Sequence, residues 1–329
     1  MAIRHFLFGI LPLLLAFFAS TARGDDSNFQ ISNYTGEIRK RADFWLQVYT
    51  VYSDDQGVIH DAQYPYIIFE KIDRRKKSTA YIETRKKHYA NLLMRLSKYE
   101  QHRALAANHT PSNRPAQTTL DKELQELSKL YSEIGGENKF FEAANYKRVR
   151  FQRGQKTSFA RGLRNSKSYL PQMEKIFKER GLPVELTRLP FVESSFNVKA
   201  RSKVGASGIW QFMPSTGKLY LRIDSEIDER NDPIRATEAA AELLSANFKT
   251  LGDWSLAVTA YNHGRKALLR AMHKYKVYNL NDLLTIYRHR SFGFASSNFF
   301  PELLAAIEAE KNASKYFFDL DQEFHLDQK

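Results

Sequence analysis

The sequence predicts a mainly α fold, with a bundle of short helices in the second half preceded by a mostly helical N-terminal region. Three observations predict it. From about residue 160 onward, apolar residues recur at helical spacing between capping residues and glycines. Strand-like texture, aromatic and β-branched, is confined to "YPYIIFEKID". No repeat at a fixed period is present, and nothing in the C-terminal half suggests a large sheet.

The elements follow in order. "GEIRKRADFWLQVYTVYS" reads as a helix, "YPYIIFEKID" as a strand, and Ser78 to Ala107 as a basic helix carrying Arg85, Lys86, Lys87 and Arg95. That charge reads first as a solvated helix face. The N-terminal mostly helical region is therefore placed at 25–107 and a polar linker, "NHTPSNRPAQ", at 108–117. A helical connector is expected over 118–159, with a helix from Leu120 to Ile134 ended by "GGENK". A further helix closes at Gly181 and Pro183. Asp232 then caps a helix with Pro233 in its first turn and Ala240, Leu243, Leu244, Phe248 and Leu251 on one face; Gly252 ends it. Asp253 caps "WSLAVTAYN", and Gly264 separates that helix from "RKALLRAMHKY".

Composition narrows the function classes. At 329 residues, with 43% apolar and 26% charged side chains, the chain can bury two ordinary cores, which excludes wholesale disorder and collagen-like structure. It has 0 cysteines, excluding disulfides, thiolate metal sites, a cysteine nucleophile and a lipid-modified cysteine. Arg4 and His5 precede an uncharged stretch, Phe6 to Phe18, and then small residues; this is the order of a secretory signal at 1–24, too short to span a bilayer as a helix. Export is therefore expected. The net charge of +13 steers polyanions. For an exported protein an anionic envelope polymer is a better partner than nucleic acid. Nine histidines without a His-x-x-x-His pair give no support to a metal site, no glycine-rich phosphate loop is visible, and no cofactor is expected.

One acid stands out. In "GLPVELTRLPFVESSF", Leu186, Leu189 and Glu193 lie at i, i+3 and i+7 on a helix read from Val184, which puts Glu193 on the core side. Pro190 would bend that helix. A carboxyl held against apolar neighbours is pushed toward its protonated form, as a general acid needs. On this helix alone, Glu193 reads first as a structural carboxylate paired with a buried arginine or capping a helix, since structural buried carboxylates outnumber catalytic ones. Downstream, "GASGIWQFMPSTG" sets Gln211 among Trp210, Phe212 and Met213, and "AVTAYNHG" places Tyr261 and Asn262 at a helix end. Apolar platforms with a few amides suit a sugar-binding groove.

Glu-Ser, then Gly-x-x-Gln with Gln211 eighteen residues after Glu193, then Ala-Tyr-Asn before a glycine, together resemble the family 1 lytic transglycosylases over about residues 160–310. The resemblance implies a lysozyme-like, α-helical catalytic domain at 160–312, followed by a short tail at 313–329 without LysM repeats. It implies a monomer acting on peptidoglycan, with Glu193 as acid and base, Ser202 and Tyr261 in support, and Gln211, Met213 and Asn262 binding substrate. The product would be a 1,6-anhydro sugar. Between Ser194 and Ile223 there is no Asp or Glu, which favours this chemistry over hydrolysis with a paired carboxylate. Asp224, Glu226 or Asp228 could still approach in the fold, so a hydrolytic muramidase of goose-lysozyme type stays open. Phe299 stands in "SSNFFPELLAA" where the family has tyrosine. This keeps a non-catalytic wall-binding protein open as well.

Overall fold

The computed structural model describes residues 29–107 and 121–318; the signal segment, the linker and most of the tail lie outside the described residues. Two hydrophobic clusters organise the chain, and a small sheet stands between them. α1 (Gly36–Thr50) leads into β1 (Gln56–Asp61) and β2 (Ile68–Asp73). α2 (Thr79–Ala107), α3 (Lys122–Leu130) and α4 (Lys139–Ala143) follow, and β3 (Val149–Arg153) returns to the sheet. The strand order is β2-β1-β3, with both neighbours of β1 antiparallel and a register shift between Ile59 and His60.

Adjacent residues of β1 face opposite sides, as a pleated strand requires. Val58 therefore joins the cluster that contains α1, while Ile59 joins the one built with α2, α3 and α4. β1 and β3 were not legible locally. Each is only five or six residues long, and their pairing, such as Ile59 with Phe151, joins residues far apart in sequence. The connector expected to be helical throughout thus contains a strand.

The second half is helical: α5 (Lys156–Ser166), α6 (Leu170–Glu179), α7 (Leu189–Ser194), α8 (Pro214–Gly217), α9 (Pro233–Leu251), α10 (Trp254–His263), α11 (Arg265–Tyr275), α12 (Leu280–Ile286), α13 (Phe294–Lys311) and α14 (Ala313–Tyr316). The caps fall where the sequence puts them. The Asp232 carboxylate accepts from the Ile234 and Arg235 amides at 2.8 and 3.0 Å, Asp253 accepts from Leu256 at 2.9 Å, and Gly252 ends α9 at φ +71°. The fold is mainly α and lysozyme-like in its helical part.

α1 belongs to the same core. Its Ile38, Ala42, Trp45 and Tyr49 share one buried cluster with Phe191, Phe300 and Leu304. The first amides of α1 are satisfied from across the molecule: Asn281 Oδ1, on α12, accepts from Glu37 N at 2.8 Å. Arg41 is fully buried; it pairs with Glu37 at 3.1 Å and donates to the Gln63 carbonyl at 2.6 Å. It also reaches Asn298 Oδ1 on α13 at 3.5 Å. These bonds satisfy a guanidinium that would otherwise be costly to bury.

Candidate active site

The segment that carries Glu193 is not one helix. Val184–Arg188 is a 3-10 turn, and α7 begins at Leu189 with Pro190 in its first turn, where a missing N–H costs nothing. Pro190 therefore starts a helix rather than bending one. Leu186 and Leu189 still share a face, because i and i+3 eclipse in 3-10 geometry; both are fully buried. Glu193 comes one residue before the end of α7, and the chain then turns through Ser195 and Phe196 at φ 51° and 54°. Gln211 is a third left-handed residue beside the same site, at φ 50°. Backbone held in that region by non-glycine residues stores strain and collects at functional sites.

The loop facing Glu193 is tied down closely. Ser194 Oγ donates to the Ile209 carbonyl at 2.9 Å, so the residue after the acid fixes that loop. Gly208 sits at φ +77°, and a Cβ there would lie 1.8 Å from the Arg230 carbonyl oxygen, which only glycine permits. Trp210 is buried and donates to Thr237 Oγ1 at 2.9 Å. Gln211 donates its amide to the Gly208 and Ala200 carbonyls at 2.8 and 3.2 Å. Its amide oxygen accepts no bond among the described residues.

The remaining sequence-derived residues divide into two groups. Met213 is exposed and Asn262 is exposed at the end of α10, with its Oδ1 accepting from Ser296 Oγ at 2.8 Å. Tyr261 donates its hydroxyl to the Trp210 carbonyl at 2.8 Å, and its ring lies parallel to Phe299 at 6.0 Å. It thus buttresses the loop; the bond is not to Glu193. Ser202 likewise makes no bond to Glu193 among the described residues. Its hydroxyl accepts from Ala206 N at 2.9 Å and closes the turn before Gln211.

Glu193 itself makes no hydrogen bond or ion pair among the described residues, although it is only partly solvent-accessible. Burial raises its carboxyl from 4.5 to about 8, so it holds a proton at neutral pH. The three acids left open by the sequence are engaged elsewhere. Asp224 accepts from the Ile227 and Glu226 amides, Glu226 pairs with Arg222 at 3.6 Å, and Asp228 pairs with Arg230 at 2.8 Å.

A different acid comes close. Glu302, one turn beyond Phe299 on α13, is partly buried and is also without a hydrogen bond or ion pair among the described residues. Burial pushes its carboxyl well above the carboxylate range, the Glu193 charge adds to that, and Arg150 on β3 opposes it. Arg150 lies over the Phe294 ring at 4.2 Å, two turns before Glu302 on the same face of α13. Tyr49 of α1 is within electrostatic reach of both acids, and burial raises its phenol well above its usual value. Its ring packs at a tilt against Phe159 at 5.0 Å, and Phe159 stacks on Phe191, two residues before Glu193, at 4.7 Å. Sequence reasoning missed Glu302, Arg150 and Tyr49. The one available signal was Glu302 at i+3 from Phe299, on a helix otherwise apolar along that face.

A carboxyl kept protonated by burial, with a second carboxyl in reach, thus sits at the end of α7 within a lysozyme-like helical domain. Residues 173–283 match the family described as Transglycosylase SLT domain. It is 35% identical over 141 residues to "Membrane-bound lytic murein transglycosylase D" of Escherichia coli (strain K12), and equally to that of Escherichia coli O6:H1, covering 42% of this chain and 30% of each relative. A protein of Alteromonas sp. (strain M-1), whose name refers to tributyltin chloride resistance, is 39% identical over 101 residues, covering 30% of this chain and 49% of that protein. The matches therefore span from under a third to about half of these relatives' lengths. No helix among the described residues is long and apolar enough to cross a membrane, and none of their His, Asp and Glu side chains forms a group that could hold a metal ion.

Proposed function

We propose that this protein is exported and cleaves the β-1,4 bond between N-acetylmuramic acid and N-acetylglucosamine in peptidoglycan, without water, to leave a 1,6-anhydromuramyl end. The observation that carries the reading is Glu193, a partly buried carboxyl without a hydrogen-bond or ion-pair partner among the described residues, raised to about 8 by burial. Glu193 enters the reaction protonated and gives its proton to the glycosidic oxygen as the C1–O bond breaks. The carboxylate so formed takes the proton of the muramyl C6 hydroxyl while that oxygen bonds to C1. The acid is regenerated and no atom is gained from solvent. Met213 offers exposed apolar surface, the Gln211 amide oxygen and the Asn262 amide are offered to the acetamides and hydroxyls, and Ser202 and Tyr261 hold the loop that presents them, with Tyr261 backed by the buried Phe299 ring.

One observation favours a second reading. Glu302 is a second carboxyl within electrostatic reach of Glu193, and hydrolytic muramidases use two. The test of an enzyme as such is release of soluble muropeptides from purified sacculi. Wild type should release them and Glu193→Gln should fall by at least about a thousandfold, the scale expected when a general acid that also serves as base is lost. Equal release by the two proteins would leave a wall-binding role instead.

A further inference from the structure

A surface cavity of about 470 Å³ lies at the start of α13, between that helix, α12 and the turn after β1. Its walls include Lys147, Arg148, Arg288 and Arg290 against a single acid, Glu142. Arg148 is engaged, at 2.7 Å from Asp61 and 3.6 Å from Glu142. Arg288 donates to the Leu284 carbonyl at 2.9 Å. Lys147 and Arg290 are exposed and make no ion pair among the described residues, so the cavity keeps uncompensated positive charge. Nothing in the proposed cleavage uses it.

Its position gives it a substrate. Ser297 lines the cavity, and its neighbour Ser296 holds Asn262 of the groove at 2.8 Å. Phe294 lines it as well and carries Arg150, which reaches along the helix toward Glu302. From Phe294 to Glu302 the helix rises about 12 Å at ~1.5 Å per residue. An extended peptide of about four residues covers a similar span, ~13 Å. A short peptide attached to a sugar bound at Glu193 and Asn262 can thus place its carboxylates among Lys147 and Arg290, where planar guanidinium and ammonium donors suit them.

We propose that this cavity binds the carboxylates of the peptide stems that branch from the glycan strand. The inference rests on the reading of the groove as a peptidoglycan site, but its test needs no turnover. The full chain is titrated with a soluble, glycan-free stem tetrapeptide in free-acid form, with the same peptide amidated at every carboxyl, and with inorganic phosphate. Free-acid binding should weaken with salt, fall roughly tenfold on amidation and fall roughly tenfold in Lys147→Ala/Arg290→Ala. Circular dichroism of the double variant should match wild type, since both side chains are exposed. Absence of binding, equal affinity for free and amidated peptide, or an unaffected double variant overturns the proposal. Phosphate displacing the peptide at equal concentration does so too, by making the cavity a general anion site. If sacculi are not cleaved at all, the cleavage reading fails while this titration still decides the cavity.

Discussion

Replacing Glu193 by Gln should stabilise the fold, and by an amount that depends on pH. The carboxyl is raised from 4.5 to about 8 by burial, so the folded chain keeps a proton that the unfolded chain gives up above about pH 4.5. Between those two values the native state binds more protons than the unfolded state, so stability falls as pH rises through the window and levels off above about 8. At ~1.36 kcal/mol per pH unit, the gap between 4.5 and about 8 sets a ceiling of about 5 kcal/mol, and about 3 kcal/mol at pH 7. Partial solvent access of the side chain lowers both figures. Gln has nearly the same shape and no charge, so it removes the penalty without leaving a cavity. Urea unfolding followed by circular dichroism at pH 4, 6, 8 and 9 measures the difference. The two proteins should coincide at pH 4, and the variant should gain steadily up to pH 8. A difference that does not change with pH, or a variant less stable at pH 9, refutes the burial of an unpaired acid.

The other predictions concern the groups around that acid. Side-chain carbon NMR of the wild type should show two coupled carboxyl titrations above the usual range, and Glu302→Gln should leave one, near about 8; a variant that keeps both would remove Glu302 from the pair. Gly208→Ala forces a Cβ to 1.8 Å from the Arg230 carbonyl at a positive φ, and thermal unfolding should show a loss of roughly 3 kcal/mol or more; a loss under ~1 kcal/mol would mean the loop moves freely. His60 is fully buried with Nε2 lacking a partner among the described residues, and burial, aided by Arg150, lowers it from 6.5 to about 3. Its folded value lies below its unfolded one, so stability present above pH 6.5 is lost as pH falls toward 3, up to about 5 kcal/mol. His60→Leu should flatten that acid limb in urea titrations, and an unchanged limb would contradict it.

How much of this was legible depended on how local the cause was. Asp232, Asp253, Gly252 and Gly264 act within one turn of themselves, so α9 and α10 could be bounded from residue type alone. The apolar face that carries Glu193 was legible for the same reason, since Leu186 and Leu189 bury it whether the turn is α or 3-10. What the sequence hid was set by partners far along the chain. β1 and β3 are strands because they pair with each other across about ninety residues. Tyr49 reaches the acids because α1 packs on α13. Glu302 looked like one charge on a long helix until α7 was laid against that face. Ser202 and Tyr261 were expected to support Glu193, and their hydrogen bonds instead run to Ala206 and to the Trp210 carbonyl, a detail of side-chain direction that spacing does not carry.

The most direct test of the central claim is the mass of the products released from purified sacculi. Attack by the muramyl C6 hydroxyl predicts ends lighter by one water than hydrolysed muropeptides, and products made in heavy-oxygen water should carry no label. Labelled, reducing muramic acid ends would contradict it and would assign the second role to Glu302.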